Sequence, residues 1–447
     1  KMYEVVNISY MALSREMEFH ADEVAANVAG YLPLKESLLR MDLADHSYST
    51  VVNYYTNRIS DGVTTKNIFQ NQRFVLNYLA QINNYTFKNE LPILSNQDLS
   101  KYNKSKLNIK DQWASHPSTI ERITALEKLN IVKPYTNSNL AISLFDQVHK
   151  WEELFTEKLF SSIVYESNTQ EIAPESFQTE FSKLIASNSF PAIYNEYYDN
   201  KNPTLFDIDD FAKSNDLSSL DVLFNREKVD MIYELIALEN DKNAITSINS
   251  GEYNVKTFDY DGKKYKAKDA VSLLILIDKE IESRKEKIKQ NDIHIYQFFL
   301  SLASKQGKEV IFKEKYRDYY RLDKAFDNRM DLFAKIYNGS EFIRVTTTFD
   351  LIELYLKDLA VLEIEFKNDI RSLINQELLK GEIPDAMFQN YTTYLSGELT
   401  YFSGNRYKDD NLNILVTAMN DYNYIVSRHY FLTKMDLLTY QAELLND

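Results

Sequence analysis

SREMEFHADEVAANVAG, residues 14–30, lies near the start of the chain and reads as the greater part of an amphipathic helix closed by a glycine. At about 100° per residue, Ile8, Met11, Arg15, Glu18, Asp22, Ala25 and Ala29 succeed one another at steps of three and four and form one stripe. Its ends are apolar and its middle is charged. A second stripe, Tyr10, Leu13, Met17, Ala21, Val24 and Val28, is apolar throughout, and Glu16, His20, Glu23 and Asn27 fill the remaining wedge, the only part expected to be solvated. Charges in line on a packed surface carry a desolvation penalty unless they are paired or metal-bound. Two accounts meet that requirement. One is a local salt-bridge network, Arg15 with Glu18 at i,i+3 and Asp22 further along. The other makes Glu18 a zinc ligand, with Asp22 one turn on and hydrogen-bonded to another ligand.

Working outward, helix follows helix. Gly30 ends the first, Pro33 stands in the opening turn of the second, and a third follows Gly62. Residues 84–113, rich in Asn, Lys and Ser, read as a polar surface loop. HPSTIERITALEKLNI then restores helical period, with Ser118 and Glu121 in capping-box spacing. KPYTNSN, residues 133–139, reads as a boundary between a unit at 1–131 and a helical extension at 132–447, with further divisions expected near 190–205 and 250. One exception to helix is EYNVKTFDYDGKKYKAKD, where Asp261 and Gly262 predict a two-residue hairpin turn inside residues 253–266. The expected fold class is all-α, decorated by that small β-hairpin.

With 447 residues, 44% of them hydrophobic, the chain can bury a sizeable core and is expected to form two or three domains. Its formal charge of −15 repels phosphate, so nucleic acid is not an expected partner. With no cysteine, any metal must be held by His, Asp or Glu. The longest apolar run, AVSLLILI at 270–277, is far shorter than the roughly 20 residues of a spanning helix. The chain begins at Lys1 and enters helical pattern at once, without a signal peptide, which raises the expectation that further sequence precedes it.

SREMEFHADEVAA resembles the third-ligand helix of membrane-associated zinc metallopeptidases of the HtpX and CAAX prenyl protease type, in which an ExxxD pair follows an upstream HExxH helix. Glu18 and Asp22 match the pair, and Ser14, Arg15, Phe19 and Ala21 match its surroundings. SHPSTIERITALEKL supplies a second match: His116 and Pro117 open a helix, and Arg122 follows six residues after the His. The resemblance covers residues 1–131 and implies that Glu18 binds zinc. It implies that Asp22 supports the site, and that His116 and Arg122 approach the cleft to steady the oxyanion formed when water attacks a peptide carbonyl. The implied substrate is a polypeptide, and the implied membrane attachment lies outside this sequence.

The departure is equally definite. None of the six histidines, His20, His46, His116, His149, His294 and His429, belongs to an HExxH. Two ligands and the general base are missing, and one carboxylate does not retain zinc selectively, so the chain is expected to be inactive alone. A competing expectation is a non-catalytic helical interaction protein that keeps the peptidase-like fold. A third, chance matching, predicts that Glu18 and His116 lie more than about 15 Å apart, beyond ligand and hydrogen-bond reach.

Other motifs read as structural. HKWEE, residues 149–153, lacks the second His of an inverted zinc motif and is expected to be the polar face of a helix. Residues 207–216 have Phe211 and Ala212 where a calcium loop needs an oxygen ligand and a glycine. His20 points away from the Glu18 stripe, RKEKIKQ at 284–290 reads as a solvated face, and the 32 tyrosines recur at core-like helical spacing.

Overall fold

Gly30 makes the first corner. At φ 85° it adopts a left-handed backbone that other residues disfavour, and its N–H donates to the Ala26 carbonyl at 2.8 Å. Helix α1 (Met2–Ala29) ends there and α2 (Tyr31–Thr56) begins at once, with Pro33 in its first turn, where no intrahelical donor is lost. The structure is a computed structural model and describes residues 2–99, 101–109, 114–134, 139–165, 167–211, 219–253 and 255–446. In chain order there follow β1 (Val63–Thr64), α3 (Ile68–Ile82), β2 (Thr86–Lys88), β3 (Leu91–Ile93), α4 (Asn96–Leu99), β4 (Leu107–Asn108) and α5 (Thr119–Leu129). Next come α6 (Val148–Phe160), β5 (Gln170–Glu171), α7 (Pro174–Ser187), α8 (Leu220–Leu223), α9 (Arg226–Ser250), β6 (Thr257–Tyr260) and β7 (Lys263–Lys266). The chain closes with α10 (Ala270–Lys305), α11 (Glu309–Gly339), α12 (Phe349–Ile374), α13 (Asp385–Leu395), β8 (Phe402–Ser403), β9 (Arg406–Tyr407) and α14 (Asp409–Glu443).

The chain is predominantly α-helical, as its periodicity predicts. The expected hairpin is β6–β7, registered Thr257 on Lys266 and Tyr260 on Lys263, and its turn places Asp261 at φ 50° and Gly262 at φ 74°. Residues 84–113 are not simply a loop. They carry the antiparallel β2–β3 pair, and β4 adds a third strand to the hairpin through Leu107 and Tyr260. Strands of two or three residues are too short to display a period, which is why the sequence pattern hid them. The boundary expected at 133–139 falls largely on residues 135–138, outside those described.

The chain divides into two compact units, residues 1–189 with 230–285, and residues 190–229 with 286–447. In the first, α1, α2 and α5 enclose Ala26, Leu38, Leu39, Ile123 and Leu126. A second cluster, where α2, α3 and α7 meet, is aromatic: Tyr54, Tyr55, Phe177 and Phe181 are buried together. A third packs Ile245, Phe258, Leu273 and Ile277 around the hairpin. In the second unit α11, α12, α13 and α14 bury Ile336, Leu359, Phe366, Tyr391 and Tyr422. Many tyrosines are core residues, as their spacing predicts. Among the described residues, no helix is long and apolar enough to cross a membrane.

The second stripe of α1 departs from expectation. Tyr10, Leu13, Met17, Val24 and Val28 are 56–79% exposed, whereas Asp22 and Ala26 are buried. Helical period identifies a uniform face but not the side that neighbours cover, and here α2 and α5 pack on the side holding Asp22 and Ala26.

His429 of α14 gives the second unit a titratable weakness. Burial, with a smaller push from the Arg329 charge, brings its imidazole down to about 4 from an ordinary 6.5, and its Nδ1 has no hydrogen-bond partner. The unfolded chain therefore takes up a proton first as pH falls, so stability is lost from about pH 6.5 and the loss is complete below about pH 4. His429→Phe is expected to flatten that acid limb by roughly 2 kcal/mol relative to the wild type. Denaturant unfolding of both proteins at a series of pH values measures it, and identical limbs would dismiss the imidazole.

Candidate metal centre

The site is built from two elements about a hundred residues apart. Helix α1 supplies Arg15, Glu18 and Asp22. The other side is Ala114–Ser118 and α5, whose start the local sequence fixes. Ser118 Oγ accepts the Glu121 backbone N–H at 3.2 Å, and Glu121 Oε2 accepts the Ser118 backbone N–H at 2.8 Å, so the expected capping box is present. This cap holds His116 and Pro117 just ahead of the helix and sets Arg122 in its first turn, facing α1.

Across the gap, His116 Nδ1 hydrogen-bonds Glu18 Oε1. A carboxylate can only accept, so with Glu18 ionised the proton lies on Nδ1 and Nε2 is left without one in the neutral ring. Arg122 grips Asp22 with two bonds, Nε to Oδ2 at 2.8 Å and Nη2 to Oδ1 at 2.6 Å. Its Nη1 lies 3.6 Å from Glu18 Oε2, an ion pair longer than a hydrogen bond. Those Asp22 bonds, with the charges of Asp22 and Glu18, hold the guanidinium above its ordinary value against a smaller contribution from burial. Arg15 Nη1 donates to the Ala114 carbonyl and ties the loop to the helix.

The four residues singled out from sequence therefore come together. Exposure is graded across them: the side chain of Asp22 is 6% exposed, Arg122 23%, Glu18 25% and His116 73%. The charged stripe is resolved neither by the expected Arg15–Glu18 pair nor by Asp22 reaching a ligand. Asp22 faces Arg122, Glu18 faces His116, and Arg15 faces backbone. The separation beyond about 15 Å that chance matching predicts is not found, because Glu18 and His116 are in direct contact.

As a donor set the site is right in kind and short in number. Among the described residues no group of three or more His, Cys, Asp or Glu side chains could hold one ion. Glu18 and His116 fall below the three protein ligands of a catalytic zinc, and Asp22 is occupied by Arg122. Two donors, Glu18 and His116, are too few to hold an ion selectively.

The remaining motifs stay apart from the site. His20 is exposed, with Glu23 at 3.9 Å, and His149 faces Glu153 at 3.5 Å on exposed α6 surface. Asp209 pairs with Arg317 at 3.3 Å, while residues 212–216 of that acidic stretch lie outside those described. Arg284 and Lys285 are not merely solvated, since they bridge α10 to α9 through Glu234 at 2.8 Å and Glu239 at 3.0 Å. Sequence reasoning passed over Glu152 and Asp292, two buried carboxylates that anchor separate parts of the fold. Comparison of the chain with models of known families, with curated proteins and with solved structures gave no match.

Proposed function

We propose that this chain carries the carboxylate-ligand part of a zinc metalloendopeptidase resembling the HtpX and CAAX prenyl protease group. In this reading the HExxH helix, with two ligands and the general base, belongs to a segment or chain outside the sequence in hand. The observation that supports it is the convergence of Glu18, Asp22, His116 and Arg122 from α1 and the start of α5. Zinc, when bound, supplies an activated water for attack on a peptide carbonyl. Glu18 would be the residue that holds the ion, its carboxylate oriented by the hydrogen bond from His116. Arg122, fixed by Asp22, provides a hydrogen-bond donor for the oxygen of a polypeptide substrate as negative charge develops on it, and His116 joins it through Nε2 only when the ring carries a proton on both nitrogens. The bare apolar stripe of α1 gives an additional amphipathic helix a surface to pack on.

The test uses the protein or complex that contains an HExxH helix. Glu18→Gln is expected to reduce zinc per chain by more than about tenfold and to abolish peptide hydrolysis together with it. Unchanged metal content would remove Glu18 from the site. A second reading, a non-catalytic helical interaction protein, draws support from the exposed apolar residues Leu354, Val361 and Ile364 on α12 and from the α1 stripe. A coding sequence without HExxH, and purified protein without zinc, select that reading.

A further inference from the structure

Helix α6 turns polar side chains inward and leaves large apolar ones uncovered. Its inward face is polar: Glu152 Oε2 accepts from Asn67 Nδ2 at 2.8 Å, its Oε1 takes Arg73, and Thr156 Oγ1 accepts the Ile68 backbone N–H at 3.1 Å. Both side chains are buried. The outward face carries Trp151, Leu154 and Phe155 at 51, 47 and 52% exposure, and the short turn ahead of the helix adds Leu144 and Phe145 at 82 and 68%. Of HKWEE, the side chains of His149 and Glu153 are 70 and 44% exposed, while Glu152 turns inward and Trp151 lies uncovered. Large apolar side chains uncovered together and bordered by charged ones are the composition of an interaction surface.

We propose that this face binds the same face of a second copy of the chain, with the two α6 helices antiparallel about a twofold axis beside Leu154. The arrangement of charge argues for this occupant. Lys150, Leu154 and Glu157 follow at steps of four and three, so one stripe has a cation at its N-terminal end and an anion at its C-terminal end. Among the described residues neither Lys150 nor Glu157 has an ion-pair partner. Reversing one copy against the other sets Lys150 of each beside Glu157 of its mate, Leu154 against Leu154 and Trp151 against Phe155, so a single register satisfies both charges and both aromatic rings. A groove of about 970 Å³ between this stripe and Thr64, Thr65 and Lys66 leaves room for the opposing side chains.

The area argues the same way. The five apolar side chains leave roughly 500 Å² uncovered, about three-fifths of the roughly 800 Å² that each partner contributes to a standard interface, which is the apolar share such interfaces have. This proposal is independent of the metal site.

Sedimentation equilibrium of the full chain across the micromolar range tests it, with circular dichroism confirming that each variant is folded. The wild type is expected to dimerise. Leu154→Glu, which sets like charges at the axis, and Lys150→Glu are each expected to weaken the dimer by about tenfold or more, and Lys150→Glu combined with Glu157→Lys to restore it. The chain has no cysteine, so Leu154→Cys gives each copy one thiol, and mild oxidation is expected to join two copies through it. A monomeric wild type overturns the proposal, as does a dimer indifferent to Leu154→Glu or a charge exchange that fails to restore association. A monomer that binds vesicles of zwitterionic lipid through this face also overturns it, and assigns the face to a membrane.

Discussion

Replacing Arg122 by methionine is expected to lower the unfolding free energy of the first unit by about 3 kcal/mol, because it leaves the buried Asp22 carboxylate without its cation. The pair is bidentate, and both Asp22 oxygens are committed to one guanidinium. Arg122→Lys is therefore expected to recover less than half the loss, since an ammonium cannot form two parallel bonds. Asp22→Leu combined with Arg122→Met is expected to be milder than Arg122→Met alone, because it removes both charges and fills the space with apolar atoms. Denaturant unfolding of the single and double variants gives the coupling between the two sites directly. A loss under about 1 kcal/mol for Arg122→Met would mean that water reaches Asp22 and that the pair behaves as a surface contact. The same variant separates support from chemistry. If Arg122 serves mainly to hold α5 against α1, His116 loses its register on Glu18, and both members of the site fail together.

Much of this was legible in the sequence. Gly30 between two helical runs, the Ser118–Glu121 spacing and the Asp261–Gly262 pair each name a backbone conformation that few other residues favour, and each is found where its residues stand. The meeting of Glu18 and Asp22 with His116 and Arg122 was legible only through a resemblance, since nothing in their spacing of about a hundred residues brings them together. Two features were misread for one physical reason. Periodicity reports that a helix has two unlike faces, and it is a further assumption that the apolar one lies inward. On α1 the exposed Leu13, Met17 and Val24 and the buried Asp22 break that assumption, and on α6 the exposed Trp151, Leu154 and Phe155 and the buried Glu152 and Thr156 break it in the same sense. Glu152 could have been suspected only by knowing that Asn67 caps α3 and that Arg73 follows it, because the three act through contacts distant in sequence.

The largest effect on stability is expected at Asp292, on the part of α10 that belongs to the second unit. Its carboxylate is buried and accepts from four donors: Tyr197 Oη at 3.1 Å, Tyr198 Oη at 3.3 Å, the Thr204 backbone N–H at 2.8 Å and the Lys201 ammonium. All four belong to residues 197–204, which have no helix or strand to satisfy their own polar groups. From the other side, Lys434 of α14 donates to the Tyr198 and Lys201 carbonyls at 2.6 and 2.8 Å. Burial, reinforced by the neighbouring Lys201 charge, brings the Lys434 amine down to about 7. Asp292 thus neutralises Lys201, whose charge acts on Lys434 alongside that of Asp199, and removing Asp292 leaves Lys201 unpaired beside a second lysine as well as donors without an acceptor. Asp292→Leu is expected to cost about 4 kcal/mol, and the loss should be partly relieved when Lys201→Met is added. Hydrogen exchange locates the effect: amides of 197–204 should lose protection first, ahead of the α11–α14 core around Phe366 and Tyr422. Equal loss across the whole unit would show instead that this irregular segment and the helices unfold as one, and that Asp292 anchors the entire unit.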